Sequence, residues 1–227
     1  MRKRAIITEM TPSFNCDHIV PGTTDYPETI KRYLGDHAPE SVTALGNLDI
    51  LRRKGTARRT HTLALFCSVK CPGNLILQTY DLAQNLRLAG VPVIGGFHSP
   101  MERECLTILL RGTQPIIVCP ARSVTGMRLR SEYRKPLNAG QLLLLSPFDE
   151  KQRRPTVQMA LYRNQFVAAL ADEIFVAHAE PNSKTEQFCR EVLAWQKPLY
   201  TLKSDANANL IALGAKPVSP DNISELT

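Results

Sequence analysis

At 227 residues, with 43% hydrophobic and 22% charged side chains, the sequence has the make-up of a soluble globular protein. It is long enough for one large α/β domain, or a domain with a small additional element. No apolar run approaches the ~18 residues of a membrane helix, and the start, MRKRAIITEM, lacks the apolar stretch of a signal peptide. A net charge of +7 favours polyanions, whether nucleic acid or phosphorylated ligands. Six cysteines (Cys16, Cys67, Cys71, Cys105, Cys119 and Cys189) are scattered through the chain, which suits the reduced thiols of a cytoplasmic protein better than a disulfide framework. Cys67-x3-Cys71 is not a usual zinc spacing and no paired histidine accompanies it, so the sequence calls for neither a metal nor a cofactor.

In chain order, residues 1–62 are interrupted by Pro12, Pro21, Pro27 and Pro39 and read as an extended segment packing on a core. Within it only 26–34 and 45–51 look like short helices or turns. The basic run 52–59, with Arg52 and Arg53, reads either as a solvated linker or as a rim that contacts a polyanion. From residue 63 the pattern turns regular. Apolar runs at 63–66, 91–94, 115–119, 141–146, 173–178 and 198–202 read as buried strands. Helical spacing fills most gaps between them: Leu75, Leu82, Leu86 and Ala89; Leu106, Ile108 and Leu109; Phe166, Ala169 and Leu170; Phe188, Val192 and Trp195. Strands alternating with helices demand right-handed crossovers and a mostly parallel sheet, a Rossmann-like α/β fold with helices on both faces over 63–218. The connection 121–140 is the least regular and most basic, and 219–227 reads as a tail.

Open parallel sheets bind ligands where strands end and helices begin, so the turns are where chemistry is expected. The first is Cys67-Ser68-Val69-Lys70-Cys71-Pro72-Gly73. It is neither a Gly-x-Gly-x-x-Gly turn nor a Walker loop, but its N–H groups, the Ser68 hydroxyl and Lys70 can meet a phosphate. The second runs Gly95-Gly96-Phe97-His98-Ser99-Pro100-Met101-Glu102. Ser99, Pro100 and Glu102 spell a capping box. Gly95 and Gly96 allow another chain or a ligand close to the backbone, and His98 stands at the strand end. In the third, Ser183 and Glu186 form another capping box, with Lys184 and Thr185 on a first helical turn that favours anions. Arg153, Arg154, Arg163 and Asn164 make a basic approach, since the arginine fork suits phosphate. Asn207 and Asn209 read as helix caps or as contacts to a base or ribose. No catalytic constellation stands out, and an enzyme is not the first expectation.

With those residues in view, the chain resembles the DNA-processing protein A (DprA, or Smf) family, in the SLOG group of Rossmann-like domains. The resemblance runs through DYPETIKRYLGDHAP, strand–CSVK, VPVIGGF, RNQFVAALADEIFVAHA and NANLIALGAKPV, over residues 25–218. It departs where the family has Gly-Ser-Arg, here Cys67-Ser68-Val69, with Lys70 supplying the charge. It departs again where the family's Gly-x-Ala-x-Gly-Ile-Asp becomes 96–102, with Pro100 for a glycine and Glu102 for the aspartate. The resemblance implies non-enzymatic binding of single-stranded DNA, transfer of that DNA to a RecA-type recombinase, and a homodimer.

A groove of that kind needs arginine and lysine: Arg52, Arg53, Lys70, Arg128, Arg130, Arg153, Arg154 and Arg163 are the candidates. Phe97, Tyr133 and Tyr162 are the best-placed stacking partners. The alternative is a nucleotide-binding protein of the same group. It would be a sensor, or a phosphoribohydrolase acting on nucleoside monophosphates, whose Thr-x-Glu-containing segment PNSKTEQ distantly resembles.

Overall fold

The computed structural model describes residues 16–51 and 61–222. Among them one sheet of nine strands runs in the order β1-β2-β6-β5-β4-β3-β7-β8-β9. The strands are β1 (Asp17–Ile19), β2 (Val42–Gly46), β3 (Leu63–Phe66), β4 (Val93–Gly95), β5 (Ile116–Val118), β6 (Leu142–Ser146), β7 (Glu173–Val176), β8 (Leu199–Leu202) and β9 (Lys216–Val218). From β6 through β9 every pairing is parallel. β1 and β2 are antiparallel additions at one edge. The helices are α1 (Glu28–Leu34), α2 (Gly73–Ala89), α3 (Pro100–Leu109), α4 (Ser131–Asn138), α5 (Val157–Leu170), α6 (Lys184–Ala194) and α7 (Ala208–Leu213).

Strand periodicity sorts the core into two layers. Along β3, Leu63 and Leu65 join the cluster formed with Leu75, Leu82 and Leu86 of α2, Leu109 of α3 and Leu137 of α4. Ala64 and Phe66 face the opposite cluster, with Ile30 of α1, Phe166 of α5, Phe188 of α6 and Leu210 of α7. Each leucine so buried contributes about 1.5–3 kcal/mol to folding. The fold is therefore helix–sheet–helix, as the strand–helix alternation predicts. None of the described helices is long and apolar enough to cross a membrane.

All six sequence-predicted strands form, within a residue or two of their ends. The segment before residue 63 is more structured than its prolines suggest. Leu45 lies in β2, paired with Leu144 of β6, and only Leu48–Ile50 is a helical turn; 45–51 is thus not one short helix. Val42 to Leu45 are buried on both faces, which suppresses the alternation that would have marked them as a strand. β9 was also hidden in the sequence. It is a three-residue edge strand containing Pro217, and edges are where proline is tolerated. In the irregular connection 121–140, α4 carries Pro136 inside it.

Candidate nucleic-acid interface at the carboxyl edge of the sheet

The chain leaves β3 for β4, β5 and β6 on one side, then returns to β7, β8 and β9 on the other. The switch point lies between β3 and β7, where the loops 67–72 and 177–183 part. Ser68 N–H donates to His178 O at 2.9 Å, closing the floor of that point. Lys70 stands exposed on one side and Lys184 on the other, with Ser183 and Thr185 half-buried beside it.

A buried carboxylate ties the neighbouring turn to the first. Glu102 accepts from Cys67 N–H at 3.0 Å, from His98 N–H at 2.7 Å and from Ser99 N–H at 3.4 Å. Ser99 Oγ accepts in return from Glu102 N–H at 3.2 Å, completing the expected capping box. One side chain thus fixes the ends of β3 and β4 together. The capping box was legible in sequence; the long-range bond to Cys67 was not, because nothing in spacing links residue 102 to residue 67.

The glycine pair is occupied from within. A Cβ on Gly96 would collide with the Arg163 guanidinium, and one on Gly95 would meet the Phe97 ring at 3.0 Å. Arg163 is 4% exposed. Its NH1 donates to Cys119 O and its Nε to Asn164 Oδ1, both at 2.9 Å. Burial pulls its pKa down, and the nearby Glu102 partly offsets this. Arg163 therefore braces the ends of β4 and β5 from α5, beneath the surface that it was expected to present, and the half-buried Asn164 holds its guanidinium.

The third turn keeps half of its capping box. Ser183 Oγ accepts from Glu186 N–H at 3.2 Å. The Glu186 carboxylate turns instead to Asn209 Nδ2 at 2.8 Å and Asn182 N–H at 3.0 Å. These bonds, Asn209's first, hold its pKa below the usual range. Asn209 also donates to Ala179 O. Asn207 is fully buried; its Nδ2 donates to Ala177 O and Leu202 O, and its Oδ1 meets His178 Nδ1 at 2.9 Å. Both asparagines are struts between strand ends.

The stacking expectation is corrected by burial. Phe97, at a positive φ of 46°, turns its ring into the core and is 4% exposed. Tyr133 is buried too, with Arg130 over its ring at 5.8 Å. Tyr162 donates its hydroxyl to His37 O and meets Phe148 edge-on at 5.9 Å. Phe97 and Tyr133 present no open ring face, while Tyr162 stays half-exposed.

What remains at the surface of this edge is charge. Arg153 and Arg154 lie exposed on the loop after β6, three strand spacings or about 15 Å from β3. That loop is well tied: Ser123 N–H donates to Gln152 O, Lys151 N–H to Asp149 Oδ1 and Arg153 Nε to Glu150 O. Arg128 and Arg130 line an open depression of about 720 Å³ with Arg134, on the 121–140 connection. His98 is exposed between these groups and the switch point, and Lys203, which sequence reading passed over, follows β8 on the same edge. Asp149, Glu150 and Glu180 share it. Arg52 and Arg53 lie outside the described residues. The arrangement can hold an extended polyanion across several strand ends.

Among solved structures the chain is similar to DNA processing protein A from Streptococcus pneumoniae, with a TM-score of 0.74 at 17% identity, covering 92% of this chain and 73% of that one. It is similar to DNA processing protein A from Helicobacter pylori, described for its single-stranded DNA binding mode, with a TM-score of 0.72 at 21% identity over 94% of each chain. The molybdenum cofactor binding protein of Rippkaea orientalis shares the fold at a TM-score of 0.52 and 16% identity, over 75% of this chain and 96% of that one. No curated protein sequence matches. The family model of DNA recombination-mediator protein A matches residues 17–227, and the chain belongs to that family.

Proposed function

We propose that this protein binds single-stranded DNA along the carboxyl edge of its sheet and passes it to a RecA-type recombinase, acting as a homodimer in the bacterial cytoplasm. The observation that carries the binding is the set of exposed cations along this edge, Lys184 and Lys70 flanking the switch point and Arg153 and Arg154 beyond β6. Backbone phosphates need such charges and no sequence-reading side chains. The family membership and the DNA-binding Helicobacter pylori relative support the same reading. Its chemistry is chiefly electrostatic, because two of the three aromatic candidates, Phe97 and Tyr133, are buried.

Hydrolysis of a nucleoside monophosphate fits less well. The carboxylate of Glu186 is engaged by Asn182 and Asn209 on the protein itself. The direct test is charge reversal: Lys70→Glu with Lys184→Glu should abolish oligonucleotide binding at moderate salt. Lys31→Glu with Arg32→Glu on α1, both exposed, changes net charge equally and should weaken it little. Equal losses from both would contradict a site at this edge.

A further inference from the structure

Beside the charges of the carboxyl edge lies an apolar opening. Between the starts of α2 and α3, an indentation of about 280 Å³ is walled by Val69, Ile76 and Tyr80 on one side and by Pro100 and Met101 on the other. Val69 is 72% exposed, and Ile76 and Tyr80 are half-buried. The volume falls just under the ~300–1,000 Å³ of drug-sized ligand pockets, so it suits one small flat group. Tyr80 was passed over in the sequence because it sits inside the helical run of α2. Unlike Phe97 and Tyr133, its side chain is partly open to solvent.

The slot adjoins the cations. α2 follows β3 and α3 follows β4, which places the starts of both helices at the edge where the DNA path is drawn. Lys70 stands between Val69 and Cys71, both of which line the slot, and consecutive Cα atoms are only ~3.8 Å apart. Lys70, itself exposed, is therefore on the rim. On the facing wall Arg103 donates its Nε to His98 O at 3.0 Å, which holds that side chain against the turn. Glu104 adds a carboxylate to the same wall. The two cations draw a phosphate to the rim, while the apolar walls and Glu104 turn it away from the slot itself. What fits inside is the uncharged part of a nucleotide.

We propose that the slot between α2 and α3 takes an unstacked base of the bound strand, laid against the Tyr80 ring, while Lys70 holds the adjoining phosphate. The inference rests on the single-stranded DNA reading. Stacking on an aromatic ring tolerates any sequence, because every base has a π-face. It supplies a contact to the bases that the buried Phe97 and Tyr133 do not. A lone nucleotide brings one base and no run of phosphates, so AMP stays a weak competitor.

The test compares two single strands of ~12 nucleotides on the whole protein, one of cytosines and one of abasic residues, with equal numbers of phosphates. The cytosine strand should bind roughly tenfold tighter, with the same salt slope. Tyr80→Ala should remove that advantage and leave the abasic affinity and the slope as in the parent, which also shows that the variant folds. Val69→Ser, at an exposed side chain outside the core, should reduce the advantage in the same direction. Irradiation of a strand carrying 5-iodocytosine should attach it to the peptide that contains Tyr80. Equal affinities for the two strands, an advantage that survives Tyr80→Ala, or crosslinks confined to other peptides would each overturn the slot and leave the polyanion path standing. A dimer that Tyr80→Ala dissociates, with the two strands bound alike, would give the slot to a second copy of the chain. Failure of both strands to bind at low salt would sink the DNA reading and the slot with it.

Discussion

The guanidinium of Arg163 rests on the backbone of Gly96, in the space that a Cβ at position 96 would fill. The contact joins α5 to the end of β4, and the bond from Arg163 to Cys119 O extends it to β5. Gly96→Ala should therefore expel the guanidinium and destabilise the fold by about 1–3 kcal/mol, the usual cost of overpacking. Gly73→Ala is the control, because nothing lies within 4 Å of its Cβ position and alanine favours a helix. Urea denaturation should show a lower midpoint for the first variant and an equal or higher one for the second.

A second brace sits at the C-terminal end of α5. Lys197, 6% exposed, donates its ammonium to the carbonyls of Ala168, Ala169 and Ala171 at the helix C-terminus. The Tyr33 ring lies 4.1 Å from the same nitrogen. Lys197→Met keeps the stem and leaves three carbonyls without their donor. We expect a loss of roughly 2–4 kcal/mol, read as a clear drop in Tm by calorimetry.

Acid should loosen the third turn. Glu186 has a depressed pKa in the folded protein, so its bonds to Asn209 and Asn182 add stability above the ordinary glutamate range. That contribution is lost as pH falls through the lower, folded value. Glu186→Gln should accordingly be less stable than the parent at neutral pH, and the gap should narrow below pH ~4. Denaturant midpoints across that range would decide it; a gap independent of pH would contradict the assignment.

Asn207 was open to two readings in the sequence, and its burial separates them. Asn207→Ala leaves Ala177 O, Leu202 O and His178 without their partner. The predicted cost is about 2–4 kcal/mol, visible in thermal unfolding. An unchanged Tm together with weakened DNA binding would restore the ligand-contacting role.

These cases mark where the sequence could be read and where it could not. The fully buried strands stood out because parallel strands covered on both faces are continuous apolar runs, as in 142–145 with its four leucines. Ser99, Pro100 and Glu102 were legible because a capping box is local. What failed was long-range and geometric. A buried arginine and an exposed one are the same letter, so Arg163 was grouped with Arg153 and Arg154. The inward turn of Phe97 depends on a positive φ that no spacing announces. The carboxylate of Glu186 bonds to Asn182 and Asn209 rather than to its own cap, and only the packing of α7 on α6 brings Asn209 there.

The central claim is a polyanion path, and one titration addresses it most directly. Anisotropy of a labelled ~40-nucleotide single strand, at two salt concentrations and with competing AMP, separates a backbone groove from a nucleotide pocket. The account predicts binding that weakens steeply with salt and ignores AMP, with the salt slope shallower by about 0.7 for each of Lys70→Ala and Lys184→Ala. Binding that is absent at low salt, or that AMP displaces at low concentration, would contradict it.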